Sequence, residues 1–339
     1  MSKGVKIAFI IVWSLCIAVG CAAYLMFSSP FTITEKHLVY IDSDDDVDSV
    51  YAKVKAEGKP STMLGFKLMS SLKRFSKART GCYAIEPGEN MFTCVRRFAN
   101  GSQTPIMFHV PEVRTVNDMI ERIAPQLMIS ADDLRKELEN SQFIDSLGYS
   151  EETLPCLFIP NTYEVYWNTS ARNLILRLDK EKNAFWSGNR IKKAESIGFT
   201  PSEVVTLASI VESETSYGPE KPIVAGLYIH RLESNMPLQS DPTVIFAIGD
   251  FTIHRVTLEH LRYDSPYNTY KYEGLPPGPI RIPSVQGIDA VLDYDHNDYL
   301  YMCAKEDFSG SHNFTSSYTE HLRNAQRYQQ ALNHRGIFK

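Results

Sequence analysis

LASIVESETSYGPEKPIVAGLYIHRLESNMPLQSD, residues 207–241, is the stretch on which the reading of the whole chain turns. Just before it, Thr200-Pro201-Ser202-Glu203 is a helix start: Thr200 caps, Pro201 suits the first helical position, and Glu203 stands where the reciprocal partner of a capping box belongs. The helix is expected to run to about Thr215. At about 100° per residue, Val204, Leu207, Ala208 and Val211 form an apolar stripe that Val205 and Ile210 widen on either side. Glu212 falls inside it, between Val205 and Ala208, while Thr206, Ser209 and Ser213 make the opposite, polar side. A carboxylate facing apolar neighbours loses hydration, which favours the protonated form that a donor near neutral pH requires. Glu212 is therefore a candidate catalytic acid, with Ala208 and Ser209 small enough to leave room for a ligand beside it. The competing reading is a buried glutamate held by an arginine such as Arg231. Glu214 lies roughly 160° away round the helix and is expected to be structural, paired with a cation or a backbone donor.

The flanking sequence sets the compartment. Residues 7–27 form an uncharged apolar run, long enough at 1.5 Å per residue to cross a bilayer core of about 30 Å. Lys3 and Lys6 precede it, so a short tail, 1–6, is expected in the cytoplasm and everything beyond a linker at 28–37 outside it. A cleaved signal peptide ending near Cys21 competes with this reading, but the apolar run continues past that cysteine, which favours retention as a single-pass anchor. The 339 residues carry a net charge of -5 with no basic stripe, which gives no support to nucleic-acid binding. Cys82, Cys94, Cys156 and Cys303 are scattered and read as buried free thiols; with no CxxC pair and no HExxH helix, metal and redox chemistry have no spacing to rest on, and neither metal nor cofactor is expected.

Behind the anchor the fold class is α+β. Three units of extended piece, turn and amphipathic helix follow one another: LVYI at 38–41 with a helix closing at Gly58, CYAI at 82–85 with a helix closing at Gly101, and IMFHV at 106–110 with VNDMIERIA. Their strands are expected to pair into one compact module. The acidic run Asp42 to Asp46 reads as a solvated turn donating a helix cap, since it lacks the glycine and distal glutamate of a calcium loop. Residues 62–76 read as a further helix, with Leu64, Leu68 and Leu72 on one face. A boundary is expected near 150, giving a first module at 38–150 and a second domain at 151–339. In the latter, Tyr163, Tyr166 and Trp167 are candidates for sugar stacking, with two of the three expected in the core. A helix at 222–232 follows the central one, and Asp241 and Pro242 read as the cap and first residue of the next. Gln239 has no capping role, and its amide suits the hydroxyl and acetamido groups of a glycan. His312 is either a ligand contact or a strand-end histidine.

LASIVESET, VAGLYIHRL, MPLQSDPTVI, SPYNTY, GLPPGPI and HNF stand in an order and spacing that resemble the endolytic murein transglycosylase family, membrane-anchored enzymes that cut nascent peptidoglycan strands. FIPNTYE at 158–164 is similar to an element of that family, with Asn161 in place of its aspartate, and the first module is similar in layout to the family's LysM-like module. The resemblance implies that Glu212 is the essential acid. It would protonate the glycosidic oxygen, then take the proton of the muramoyl C6 hydroxyl as that oxygen closes on C1, leaving a 1,6-anhydro end without consuming water. It also implies cleft-lining roles for Gln239, Asp241, Asn268 and Tyr270, a place at the inner membrane, and peptidoglycan synthases as partners. The rival readings are a hydrolase that uses Glu212 with water, and a silent glycan-binding scaffold.

Overall fold

The structure, a computed structural model, describes residues 3–71 and 79–336. It is a mixed α+β fold that divides into two compact units, and the division does not follow a single cut near 150. One unit holds Met1–Phe108, Gln126–Ile129 and Tyr163–Ser170; the other holds the rest, including His109–Pro125 and Ser130–Thr162.

The first unit opens with α1 (Lys3–Phe27), the helix that is long and apolar enough to cross a membrane; it buries none of its residues. Next come β1 (His37–Ile41), α2 (Val47–Gly58), α3 (Leu64–Ser71), β2 (Gly81–Ile85), α4 (Met91–Asn100) and β3 (Ile106–Val110). The remainder of the helix expected at 62–76, Leu72 included, lies outside the described residues. Strands β1 and β2 pair antiparallel, Val39 opposite Tyr83, and their inward residues meet Val50 and Val54 of α2, Phe66 of α3 and Phe98 of α4 in one core. Apolar burial of this kind is the main force holding so small a sheet. Asp46 caps α2 from the acidic turn, accepting from Ser49 N at 2.8 Å, while Asp42 and Asp45 both bind Lys53. Glycine ends α4 as expected, with Gly101 at φ 70 returning its N–H to Arg97 and Phe98. At α2 the left-handed residue is instead Lys59, φ 42, and Gly58 is needed one step earlier because a Cβ there would meet the Phe31 ring at 2.7 Å. Tyr163 is buried and Trp167 packs edge-on against Tyr40, whereas Tyr166 is exposed. The repeated layout is real in sequence but not in pairing: β3 joins a later strand rather than the β1–β2 sheet.

The second unit contains α5 (Val116–Ile123), α6 (Ala131–Leu138), α7 (Ser141–Ser146), β4 (Asn161–Val165), α8 (Ala171–Phe185), α9 (Asn189–Ser196), α10 (Pro201–Glu214), α11 (Lys221–Glu233), α12 (Asp241–Ile248), α13 (Val285–Leu292), β5 (Tyr301–Ala304), β6 (His312–Thr315) and α14 (Tyr318–His334). Strands β3 and β4 pair with each other, and the division passes through both, so neither belongs wholly to one unit. Helix α10 starts as its sequence dictates, with Thr200 and Glu203 forming the reciprocal capping box. It is the axis of the unit, packed by α9, α11, α12 and α13. Val204 to Val211 are buried without exception, so Thr206 and Ser209 of the polar side are interior as well. Thr206 and Ser209 are satisfied there by bonds to Ser202 O and Thr206 O, and Ser209 Oγ accepts the amide of Ile280 at 3.0 Å. That last bond ties the GLPPGPI loop to the helix.

Candidate active site

The C-terminal turn of α10 carries two glutamates facing two different cavities. The Glu212 carboxyl is held at both oxygens: Lys221 Nζ donates to Oε1 at 2.7 Å and Ser284 Oγ donates to Oε2 at 2.8 Å. Lys221 and the carboxyl are almost wholly shielded, with side chains 5% and 10% exposed. Ser284 also caps α13, accepting from Gly287 N at 2.9 Å, so the carboxylate rests against the positive end of that helix. The fit is close enough that a Cβ at Gly287 would meet Glu212 Oε2 at 2.4 Å.

This corrects the expected environment. Apolar side chains, Ile245, Phe246, Phe251 and Ile280 among them, do line the cavity with Glu212, but its two oxygens are held by a lysine and by the serine that starts α13, and the basic partner is Lys221 rather than Arg231. Arg231 is buried elsewhere, donating to Pro237 O, Leu300 O and Gln239 Oε1. Lys221 was missed because it lies on the next helix, yet the sequence carried a signal. It is the first residue of α11, the end at which the helix dipole disfavours a cation unless something else holds it.

Glu212 lines a cavity of about 180 Å³ with Arg114, Ser213, Phe246, Phe251 and Arg281. A groove of about 720 Å³ lies beside it, sharing Arg114 and Phe246 as walls and continuing past Asn117, Arg135, Glu139 and Tyr267.

Glu214 faces the other way. It lines a separate cavity of about 310 Å³ with Tyr228, Arg231, Gln239, Asp241 and Tyr270. Its Oε1 accepts from Tyr228 OH at 2.6 Å and Ser240 Oγ at 2.5 Å, so its partners are hydroxyls and not the cation or backbone donor expected. Burial pushes the Glu214 carboxyl above its ordinary range, with the Ser240 and Tyr228 hydroxyls opposing the rise and the nearby Asp241 adding to it. A carboxyl raised by folding stabilises most fully below its ordinary value of 4.5, and that contribution is lost as pH climbs through the folded value. Glu214→Gln keeps the acceptor oxygen and removes the titration. Its melting temperature should exceed the wild type's at neutral pH, with the gap closing as pH falls towards 4.5; a gap independent of pH would contradict this account.

Of the residues singled out in sequence, Gln239, Asp241 and Tyr270 do come together, but around Glu214 and not around Glu212. Asp241 is inside α12 and does not cap it; its Oδ1 accepts from Tyr270 OH at 2.6 Å. Gln239 holds a left-handed backbone, φ 53, with its amide oxygen on Arg231. Asn268 is fully buried, donating to Leu261 O and Tyr263 O and accepting from Tyr270 N, so it braces the loop instead of lining a cleft. His312 proves to be a strand-end residue tied to Glu220 through its ring and its amide. Cys82, Cys94 and Cys156 are buried free thiols, Cys303 is half-buried, and burial raises all four. No group of three or more His, Cys, Asp or Glu that could hold a metal ion occurs among the described residues.

Over 310 residues the chain is 27% identical to a Bacillus subtilis (strain 168) protein named endolytic murein transglycosylase, an alignment that covers 86% of this chain and 84% of that one. A protein of the same name from Streptococcus pneumoniae serotype 2 (strain D39 / NCTC 7466) is 24% identical over 321 residues; the match takes in 84% of this chain and spans 57% of that relative's length. Among solved structures, the 2.6 Å crystal structure of a yceG-like protein from Listeria monocytogenes superposes with a TM-score of 0.57 at 24% identity, covering 86% of this chain and 99% of that one, a likeness of fold. The match to the YceG-like family itself extends over residues 39–327, from β1 into α14, and takes in both glutamates and all four helices packed on α10; this chain belongs to the YceG-like family.

Proposed function

We propose that this protein is an endolytic lytic transglycosylase, a lyase that cuts the β-1,4 bond between N-acetylmuramoyl and N-acetylglucosaminyl residues inside nascent peptidoglycan strands. The observation that carries this reading is Glu212 standing in a chamber beside an extended groove, in a chain of the YceG-like family whose curated relatives are named murein transglycosylases. In its protonated form Glu212 donates to the glycosidic oxygen. The negative charge that develops on the carboxyl as the proton leaves is met by the Lys221 ammonium at Oε1 and the Ser284 hydroxyl at Oε2, stabilisation that is greatest in the transition state. The resulting carboxylate then takes the proton of the muramoyl C6 hydroxyl, whose oxygen closes on C1. Nucleophile and acceptor both belong to the substrate, so one protein carboxyl serves as acid and then as base, in contrast to the two-carboxylate glycosidases.

Helix α1 is taken as a single inner-membrane anchor with the short tail in the cytoplasm, which keeps the site near newly polymerised strands and raises its effective concentration there. The module built on β1 and β2 is read as LysM-like, and peptidoglycan synthases as neighbours at the membrane. A second reading places the acid at Glu214, since burial raises that carboxyl. It is disfavoured because both donors to its Oε1, Tyr228 and Ser240, are themselves buried, which makes the group a structural acceptor. Digestion of uncrosslinked glycan by the full chain in detergent tests the proposal. Fragments from internal cuts with anhydro ends are expected; fragments with reducing ends would point to a hydrolase, and no fragments at all to a scaffold.

A further inference from the structure

Two guanidinium groups share the Glu212 chamber, and among the described residues neither forms an ion pair. Arg114 and Arg281 both line it, and Glu212, the carboxylate among its lining residues, is already paired with Lys221. Three cations against one carboxylate leave the site with an excess of two positive charges. Among the described residues no ion pair involves either arginine, and the Nε of Arg281 is buried without a hydrogen-bond partner. A buried N–H left unpaired is costly and rare.

The backbone holds these groups in place. The amide on one side of Arg281, Ile280 N, donates to Ser209 Oγ at 3.0 Å; the amide on the other side, Ile282 N, donates to Val113 O at 2.9 Å, next to Arg114. The two arginines are thus laced together through their neighbours. The Arg114 guanidinium lies over the Phe251 ring at 4.4 Å, a contact that fixes its plane while leaving its N–H edges available.

A planar fork of donors recognises a carboxylate by paired, charge-assisted hydrogen bonds. On the transglycosylase reading above, the substrate alternates two sugars that are alike except at C3, where the muramoyl residue alone bears a lactyl group ending in a carboxyl and extended by a peptide. We propose that Arg281, assisted by Arg114, seats a carboxylate carried on the C3 substituent of the muramoyl residue, and so decides which of the two alternating glycosidic bonds lies against Glu212. The chemistry recognised is a carboxylate beside a pyranose. Where the peptide is attached the lactyl carboxyl is an amide, so the carboxylate is one of the peptide's own; only on a residue stripped of peptide can it be the lactyl group's.

The test reads binding without turnover, using the full chain in detergent with Glu212→Gln as background. Titration calorimetry compares three ligands: a chito-tetrasaccharide, which lacks the lactyl group, a murein tetrasaccharide stripped of peptide, and the same tetrasaccharide with its peptides. At least one murein ligand should bind about tenfold or more tightly than the chito-oligosaccharide, a margin one charge-assisted pair supplies. The preference should be lost in Arg281→Gln and partly kept in Arg281→Lys, with chito-oligosaccharide affinity unchanged in both. Preference for the stripped ligand assigns the lactyl carboxylate, and preference only for the peptide-bearing one assigns a peptide carboxylate. Should the arginine variants fail to fold, methyl esterification of the ligand carboxylates must remove the preference with Arg281 intact. Equal affinity for all three ligands, or a preference that survives Arg281→Gln or esterification, overturns the proposal. Because binding and cleavage are read separately, a preference without any cleavage by wild type would defeat the transglycosylase reading alone.

Discussion

Glu212→Gln is expected to lower turnover of uncrosslinked glycan by about a thousandfold or more, within the range that a positioned general acid and base contributes. The amide is nearly isosteric; its oxygen can still accept from Lys221 while its NH2 donates to Ser284 Oγ, so the fold should persist and the loss should fall on kcat and not on KM. Far-ultraviolet circular dichroism and a release assay on the same preparation separate these effects. The companion variant Glu214→Gln is expected to stay within a few fold of wild type. A Glu212→Gln protein that keeps a tenth of its activity, or a Glu214→Gln protein that loses all of it, would move the chemistry to the other side of α10.

The second large effect is expected at Lys221. Removing one partner of a buried ion pair leaves the other charge uncompensated, at a cost of about 3–5 kcal/mol. Lys221 and Glu212 are both largely shielded from water, so at a pH where Glu212 is ionised Lys221→Met should destabilise by about that amount in denaturant titrations. It should also depress turnover, because the charge developing on Glu212 loses its cation. Lys221→Arg keeps a cation within reach of Oε1 and should restore most of both properties. The double variant Lys221→Met with Glu212→Gln should recover stability but no activity, since no unpaired carboxylate is left behind. Unchanged stability in Lys221→Met would mean that the pair is solvated in solution.

The helix that carries the site was legible because its signals are local: Thr200, Pro201 and Glu203 start α10 with bonds that span three residues. The direction in which Glu212 points was also legible, since helical geometry alone separates it from Glu214. Its surroundings were not. Ser284 stands 72 positions away in sequence, and the carbonyl that anchors the Arg281 loop belongs to Val113. Periodicity marks which face of a helix is buried but not what another element brings to it. That is why an apolar stripe suggested a carboxyl with hydrocarbon neighbours but gave no sign of the lysine and serine that the fold adds at its two oxygens. The same limit explains Gln239, Asp241 and Tyr270. Only the family resemblance implies that they, with Asn268, line a cleft, and the glutamate that the three surround depends on where the 236–242 loop is pinned, which Thr269 does through Gln239 N and Ser240 N. In the first unit, similar strand-turn-helix units implied similar roles, yet strand pairing depends on neighbours distant in sequence, and β3 found β4.

Digestion of uncrosslinked glycan by the wild-type chain in water enriched in heavy oxygen tests most directly whether one carboxyl cuts the strand with the substrate's own hydroxyl as nucleophile. Mass spectrometry should find the new muramoyl ends one water lighter than reducing ends and free of the heavy isotope. Ends that carry heavy oxygen from the solvent at C1 would contradict the account.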